Sequence, residues 1–236
     1  VFPQLCPYLP GFPAHNYLIS TNFHSHCPTP LDMLYGRIYE QMHLLDQKGE
    51  RISMYKYEEK TVSTKPIFKG RILDVRVDEV LLPNGKTSTR ELIKHPGAVA
   101  IIMVTDDNKI VLVEQYRKPM EKPLVEIPAG KLDEGEEPLA CAMREMEEET
   151  GYECESMDKL ISLYTSPGFA DEIIHIYVAK GLKKKENAKG LDEDEFVDLM
   201  EVTLEEALEL IKEERIQDAK TAYAIQYLQL QEAQSK

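Results

Sequence analysis

Residues 130–152 read "GKLDEGEEPLACAMREMEEETGY", and this stretch crowds glutamates into a segment with the residue spacing of a helix. The glutamates in question are Glu136, Glu137, Glu145, Glu147, Glu148 and Glu149. Like charges three or four residues apart on a helix repel one another, so stability alone does not favour this density. The segment is either a solvated acidic face or a place where a cation binds.

The two ends of the segment indicate where a helix begins and ends. Pro138 suits the first position of a helix, and Gly151 suits the residue just beyond the last turn. Between them, apolar residues recur at helical spacing, namely Leu139, Ala142, Met143 and Met146. We expect this stripe to pack the helix against a sheet.

Three of the glutamates are spaced to act together. Glu145, Glu148 and Glu149 stand at positions i, i+3 and i+4, so their carboxylates converge on one flank of the helix. Arg144 lies beside them and can hold a carboxylate in a forked ion pair. Convergent carboxylates are hard oxygen ligands that suit Mg²⁺ or Mn²⁺, and these ions favour phosphate substrates.

The fixed residues in and around the helix favour cation binding over a solvated acidic face. The segment follows the pattern G-x5-E-x7-R-E-U-x-E-E-x-G-U, where U is apolar or aromatic. Seven fixed residues match by chance at a frequency of about 10⁻⁸ per starting point, given average residue usage. The segment resembles the Nudix box at every defining position. The resemblance implies an α+β fold, an α/β/α sandwich with a mixed sheet, here preceded by a small N-terminal β-strand subdomain.

The chain around the helix alternates between apolar and polar residues as strands do. The stretch 71–82, the Asn-Gly turn in "PNGK" (83–86) and the stretch 89–95 predict a hairpin. "GAVAIIMV" and "KIVLVEQYR", joined by "TDDN", predict a second and more buried hairpin. The remaining expected elements are strands within 161–169, 172–180 and 196–204, and helices at 204–214 and 218–233.

Composition limits the classes of partner. The chain has 236 residues and a formal net charge of −14, which argues against a nucleic-acid partner. It contains no run of 18 or more apolar residues, so we expect no membrane span. Its four cysteines form no CxxC pair, which indicates a reduced, cytoplasmic protein.

The first residues differ from the rest of the chain. Residues 1–53 are rich in proline, lack the features of a signal peptide and end in "KGERIS" before Met54. The codons for Lys-Gly-Glu-Arg are purine-rich and can spell a ribosome-binding site, so we hypothesise that Met54 is the true start. Residues 1–53 would then be a translated, disordered leader, and the mass of the natural protein tests this. The domain prediction continues with a β subdomain at 54–96 and a Nudix domain at 97–236.

The resemblance extends well beyond the box. "KHPGAVA", "EQYRKP", "EIPAGK", "YTSPGFADE" and "LDEDEFV" resemble the ADP-ribose pyrophosphatase branch of the family, especially the enzymes of Bacillus-like bacteria. Pro167, 16 positions after Gly151, matches the secondary signature of that branch. The resemblance implies magnesium-dependent hydrolysis of ADP-ribose to AMP and ribose 5-phosphate, by attack of water on the pyrophosphate.

The resemblance also implies roles for individual residues. The implied metal ligands are Ala129 through its carbonyl, Glu145, Glu148, Glu149 and Glu195. The implied catalytic residues are Glu193, Glu148 and Arg144, with the choice of base between Glu193 and Glu195 left open. Glu136 is expected to orient Arg144 or a water molecule rather than to bind metal. The alternative for 191–195 is a solvated run of charge.

Substrate contacts and a dimer follow from the same resemblance. The implied contacts are Arg71, Arg90, Glu91, Arg117, Lys131, Ser166, Gly168 and Glu172. Enzymes of this branch form homodimers that exchange their N-terminal strands, here about 61–96, so that Arg90 and Glu91 would serve the partner's site. The alternatives are surface salt bridges for the arginines and a monomer for the chain.

Other functions remain open at this point. The same chemistry fits another nucleoside-diphosphate sugar such as GDP-mannose, or a flavin or dinucleoside diphosphate. A non-catalytic ligand-sensing Nudix module is less favoured, because every glutamate of the box is present. RNA 5′-end processing is disfavoured, since the chain lacks the basic residues of an RNA groove.

Overall fold

The computed structural model describes residues 55–185 and 196–235, and the predicted leader at 1–53 lies outside them. In these residues the strands are β1 (Lys60–Lys69), β2 (Asp74–Leu81), β3 (Thr87–Lys94), β4 (Ala98–Met103), β5 (Ile110–Arg117), β6 (Lys122–Glu126), β7 (Ala129–Lys131), β8 (Tyr152–Glu153), β9 (Ser156–Tyr164), β10 (Ile173–Lys180), β11 (Lys183–Lys184) and β12 (Val197–Val202). The helices are α1 (Pro138–Thr150), α2 (Leu204–Lys212) and α3 (Ala219–Gln234). All of these elements belong to one compact unit, Tyr57–Lys236.

Strand β4 is the centre of the fold, because all six of its residues are buried. It pairs with β7 in antiparallel and with β10 in parallel orientation, which gives a mixed sheet in the order β7-β4-β10-β9. Its alternate residues face opposite sides. Ile101 packs in one cluster with Met146 of α1, whereas Ile102 packs in another with Ile225 of α3. Helices therefore cover both faces of the sheet, and the predicted α/β/α sandwich is confirmed.

The predicted hairpin of β4 and β5 is wrong. The turn itself forms, with the Thr105 N–H donating to the Lys109 carbonyl at 2.8 Å and Asn108 at a positive φ of 58°. Beyond an isolated bridge from Val104 to Ile110, however, the strands enter different sheets. Strand β5 pairs with β6 and β12, while β4 pairs with β7 and β10. Each strand thus has both edges occupied, which leaves no edge for pairing with the other.

Helix α1 begins and ends as predicted, and it buries Ala142 and Met146 of the predicted stripe but not Leu139 and Met143. Gly151 caps it in the left-handed region at φ 69°, and its N–H donates to the Glu147 carbonyl at 2.9 Å. Leu139 and Met143 are 44% and 47% exposed, contrary to the prediction. The residues that the helix buries are Cys141, Ala142, Glu145, Met146 and Thr150. Glu145 lies one turn after Cys141 and points inward, so the buried side of the helix is the side that carries these two residues.

The N-terminal strands form a separate three-stranded sheet in the order β1-β2-β3. Strands β2 and β3 make the predicted hairpin, and Gly85 in its turn has a positive φ of 79°. Every residue of β1 is exposed. Strand β3 is attached to the rest of the unit where the Ile93 N–H donates to the Phe169 carbonyl at 2.8 Å.

Helices α2 and α3 cover the side of the central sheet opposite α1. Helix α2 begins with a capping box, in which Thr203 and Glu206 each accept a hydrogen bond from the backbone N–H of the other. Asp218 caps α3 by accepting from the Thr221 N–H at 3.1 Å. Of the helices just described, none combines the length and the apolar character needed to cross a membrane.

Candidate active site

The stretch "EIPAG", residues 126–130, runs from the end of β6 into β7 and contacts the glutamates of α1. Gly130 lies directly beneath Glu145: a Cβ on Gly130 would lie 1.8 Å from the Cδ of Glu145. Glu145 is only 8% exposed. A side chain on Gly130 would therefore displace the Glu145 carboxylate, which uses that space.

Arg144 explains how the helix tolerates its crowded charges. Its guanidinium forms a fork with Glu136, with Nε to Oε1 at 3.0 Å and Nη2 to Oε2 at 2.9 Å. Its Nη1 donates to Glu145 at 2.8 Å and to Glu148 at 3.0 Å. One cation thus binds three carboxylates, and we call these four residues the Arg144 cluster. Glu136, followed by the other two glutamates, raises the pKa of Arg144 above its usual range.

Glu149 is joined to the stretch in front of the helix. Its Oε2 accepts a hydrogen bond from the Ala129 N–H at 2.9 Å. Ala129 in turn pairs with Ala100 of the buried strand β4. Glu149, a metal ligand proposed from the sequence, is therefore bonded directly to the backbone of Ala129, the residue whose carbonyl is another proposed ligand.

The Arg144 cluster predicts a pH dependence of stability. The Arg144 fork lowers the pKa of Glu136 from 4.5 to about 2. Since the folded-state pKa is depressed, the stabilisation is complete above pH 4.5 and is lost as the pH falls toward 2. We expect Glu136→Gln to have a lower melting temperature than wild type at pH 6, measured in EDTA. At pH 3 the difference in melting temperature between the variant and wild type should be smaller. Glu134 is an exposed glutamate of the same loop, and Glu134→Gln should keep the wild-type melting temperature at both pH values. A loss of melting temperature in Glu136→Gln that is equal at pH 6 and pH 3 would contradict the assignment.

The carboxylate oxygens of α1 suit a hard divalent ion, but the described residues alone do not form a complete metal site. Carboxylate oxygens of Glu145, Glu148 and Glu149 are the ligands that Mg²⁺ prefers. Within 55–185 and 196–235, no three acidic, histidine or cysteine side chains are arranged as a ready metal cluster. Glu193 and Glu195 lie outside the described residues. The chemistry of the donors therefore fits a hard divalent ion, and Arg144 holds two of these carboxylates, Glu145 and Glu148.

A second ion-pair network lies at the other end of the stretch. Arg117, at the end of β5, forms a fork with Glu126, with Nε to Oε1 at 2.6 Å and Nη2 to Oε2 at 2.7 Å. Lys220 of α3 also binds Glu126. Arg117 was predicted from the sequence, but Glu126 and Lys220 were missed. The available signal was one charged residue, Glu126, inside the otherwise apolar run 124–127.

The loop after β9 carries three of the predicted substrate contacts. The Ser166 carbonyl accepts the N–H groups of Phe169 at 3.1 Å and Ala170 at 2.9 Å, which closes a turn. Gly168 lies at the exposed tip, and a Cβ there would meet no atom within 4 Å. Glu172 accepts from the Thr165 hydroxyl at 2.5 Å and lies 3.6 Å from His95 Nε2.

The other predicted contacts are more scattered. Arg90 on β3 forms a fork with Glu59, in which Nε to Oε2 measures 2.7 Å. Glu91 and Arg71 are exposed, on β3 and in the β1–β2 connection respectively. Among the residues that the structure describes, no hydrogen bond or ion pair joins these three to the Arg144 cluster. Lys131 is exposed on β7, and its carbonyl lies 3.4 Å from Arg144 Nη2.

Comparison with known proteins identifies the family of the chain. The NUDIX domain family matches residues 94–224, and the nucleoside diphosphate sugar hydrolase N-terminal domain matches residues 59–93. The chain is 70% identical over 177 residues to a methanol dehydrogenase activator of Bacillus methanolicus, which covers 75% of this chain and 96% of that protein. It is 58% identical over 180 residues to an ADP-ribose pyrophosphatase of Bacillus subtilis (strain 168), which covers 76% of this chain and 97% of that protein.

A solved structure supports the fold alone. The crystal structure of an ADP compounds hydrolase superposes with a TM-score of 0.65 at 21% identity, over 75% of this chain and 95% of that one. The box at 130–152, the sandwich around it and the domain match at 94–224 all lead to the same assignment. The prediction from the box is confirmed, and the chain belongs to the Nudix family.

Proposed function

We propose that this chain is a metal-dependent ADP-ribose pyrophosphatase, which uses water to split ADP-ribose into AMP and ribose 5-phosphate. The observation that carries the proposal is the 58% identity to an ADP-ribose pyrophosphatase that the chain covers over 97% of its length. The closely placed carboxylates of α1 support it, since cleavage of a pyrophosphate requires its negative charge to be neutralised.

In this proposal the carboxylates of α1 bind the metal ion. Glu145, Glu148, Glu149 and the Ala129 carbonyl would hold Mg²⁺, with Mn²⁺ as the alternative. When bound, the ion supplies neutralisation of the pyrophosphate and polarisation of the reacting phosphorus. Arg144 orients Glu145 and Glu148 through its Nη1, and Glu148 orients the attacking water.

The base is proposed from sequence alone. Glu193 activates the water and Glu195 is a further metal ligand; both lie outside the described residues. Glu193→Gln should lower kcat while metal affinity, measured by calorimetry with Mn²⁺, stays at the wild-type value. Normal turnover in that variant would place the base elsewhere, with Glu195 as the next candidate.

Recognition of the substrate is assigned to positive and loop residues around the α1 carboxylates. Arg117 binds a phosphate oxygen through its Nη1, since its Nε and Nη2 already donate to Glu126. The other proposed contacts are Arg71, Arg90, Glu91, Lys131, Ser166, Gly168 and Glu172. The exposed tip at Gly168 supports this for the loop after β9, since it leaves room for a ribose or a base.

A comparison of substrates tests the proposal. With Mg²⁺ and equal concentrations of ADP-ribose, GDP-mannose, NADH and FAD, we expect the highest kcat/KM for ADP-ribose. EDTA should abolish release of AMP, and excess MgCl₂ should restore it. A higher kcat/KM for GDP-mannose would reassign the enzyme to another nucleoside-diphosphate sugar. Binding of ADP-ribose with no turnover of any of the four would favour a sensing module instead.

A second candidate function rests on a different relative. The chain is 70% identical to a protein named methanol dehydrogenase activator. The alternative proposal is that this chain raises the turnover of a methanol dehydrogenase. Methanol oxidation by a methanol dehydrogenase of Bacillus methanolicus, with and without this chain, tests it. Stimulation by wild type but not by Glu149→Gln would link the effect to hydrolysis, and no stimulation by either would exclude it.

The proposed form is a homodimer in the cytoplasm. Strand β1 supports the dimer, because a long exposed edge strand with apolar side chains such as Ile67 and Phe68 is suited to pairing with another chain. Sedimentation equilibrium at micromolar concentration tests it, and a monomer mass would exclude it. The free thiols of Cys141 and Cys154 support a reducing compartment.

A further inference from the structure

Glu126 is a buried carboxylate that the proposed chemistry does not use. It is 2% exposed at the end of β6. A charge in such a place is tolerated only when it is paired and hydrogen-bonded. Burial by itself raises the pKa of Glu126, but Arg117 and Lys220 outweigh this and hold the pKa below its usual value. Glu126 is therefore ionised and binds two cations.

The contacts of Glu126 orient one of those cations. Arg117 donates hydrogen bonds from Nε and Nη2 to the two oxygens of the carboxylate, and this fork fixes the plane of the guanidinium. Its Nη1 has no hydrogen-bond partner within 55–185 and 196–235. The Arg117 side chain is 36% exposed, so one edge of the guanidinium stays accessible. The charge of Glu149 also raises the pKa of Arg117, which places the two groups within electrostatic range.

Lys220 shares the Glu126 carboxylate with Arg117 and also binds the Asp218 carboxylate at 2.9 Å. The two cations and the two carboxylates of this network balance in charge. What Arg117 offers a further anion is therefore the N–H donors of its Nη1 and not a surplus of charge.

The backbone around Glu126 connects this network with helix α1. The next residue, Ile127, donates its N–H to the Thr221 hydroxyl of α3 at 2.9 Å. The Pro128 carbonyl accepts from the Ile101 N–H at 2.9 Å, and the Ala129 N–H donates to Glu149 at 2.9 Å. Three successive residues are therefore fixed to α3, β4 and α1, so Arg117 and Glu149 are held by one rigid stretch.

We propose that Glu126 is a positioning residue, which holds Arg117 with its Nη1 directed at a phosphate oxygen of the substrate. This inference rests on the proposed pyrophosphatase function. Lys220 assists by sharing the carboxylate. Glu126 does not touch the substrate, and its effect is transmitted through the guanidinium alone.

The test is the kinetics of Glu126→Gln with ADP-ribose and Mg²⁺. Glutamine keeps the shape but replaces one acceptor oxygen with an amide that cannot accept from Arg117. We expect KM to rise about tenfold or more, in line with the loss of a charge-assisted hydrogen bond, while kcat changes less than about threefold. Glu114→Gln is the matched control. Glu114 lies on the other face of β5 and accepts from Arg215 at 2.7 Å, so its loss breaks a similar ion pair without affecting Arg117.

A double-mutant cycle separates positioning from a structural role. Arg117→Ala should raise KM, and the double variant Glu126→Gln/Arg117→Ala should be no worse than Arg117→Ala alone. Additive effects on KM, or a wild-type KM in Glu126→Gln, would overturn the proposal. If Glu126→Gln does not fold, Arg117→Lys decides: it keeps the charge but lacks the fork, so a wild-type KM there would also overturn it. Failure of wild type to hydrolyse ADP-ribose would instead refute the proposed function.

Discussion

Replacing Glu149 by glutamine should abolish hydrolysis of ADP-ribose while leaving the fold intact. Glutamine retains a carbonyl oxygen that can accept the Ala129 N–H bond, now 2.9 Å long, so the link to β7 survives. The side chain then presents a neutral amide where the proposal places a metal ligand. Removing partners of metal ligands typically costs about 10- to 100-fold, so loss of a direct ligand should lower kcat/KM by at least about a hundredfold. Release of AMP and the melting temperature are the measurements.

Glu147→Gln is the control for this result, because it removes the same charge from the same helix. Glu147 pairs with Lys185 at 2.8 Å and is not among the proposed ligands. Its kcat/KM should stay within about threefold of wild type, since the pair is partly open to solvent and surface ion pairs contribute little. If Glu149→Gln retained wild-type turnover, the metal role of Glu149 would have to be abandoned, whereas an unfolded variant would contradict the expectation that the fold stays intact.

Gly130→Ala should have an effect of similar size for a steric reason. The new Cβ would lie 1.8 Å from Cδ and 2.0 Å from Oε1 of Glu145, so the carboxylate must move away. Its contact with Arg144 Nη1 at 2.8 Å would be lost with it. We expect kcat/KM to fall by at least about a hundredfold, as for loss of a ligand. Overpacking should cost only about 1–3 kcal/mol in the free energy of unfolding, because the displaced group is the end of a flexible side chain.

Gly85→Ala distinguishes this displacement from a general effect of alanine. Gly85 has a φ of 79°, and a Cβ there would meet no atom within 4 Å. The substitution should cost about 1 kcal/mol of stability through backbone strain and leave kcat/KM unchanged. Wild-type activity in Gly130→Ala would show that Glu145 is not needed in the place where it lies over Gly130. A fall in kcat/KM no larger than that of Gly85→Ala would also show that Glu145 is not needed over Gly130.

The hairpin of β2 and β3 and the ends of α1 could be predicted because local rules decide them. An Asn-Gly turn needs positive φ, and Gly85 adopts it at 79°. Gly151 likewise ends α1 at 69°. In both cases the conformation depends on the residue itself and its chain neighbours. Such features are independent of how the elements pack.

The buried face of α1 and the partner of β4 could not be predicted in the same way. Leu139 and Met143 have the same apolar character and spacing as a buried stripe, yet they face outward. Glu145 takes an inward position instead, because it fits over Gly130 and binds Arg144. A short turn between two apolar strands likewise indicates a hairpin. Here the turn connects two sheets, since β7 and β10 take the edges of β4.

The sequence by itself determined the family and the position of the acidic helix, because the box is defined by residue spacing along the chain. The tertiary structure decided which distant side chains contact one another. Lys220 and Glu126 are 94 residues apart in sequence and meet only because α3 packs beside β6. The reason for Gly130 likewise becomes visible only when Glu145 is seen above it. Spacing specifies one face of a helix, whereas contacts between distant elements depend on packing that no local pattern encodes.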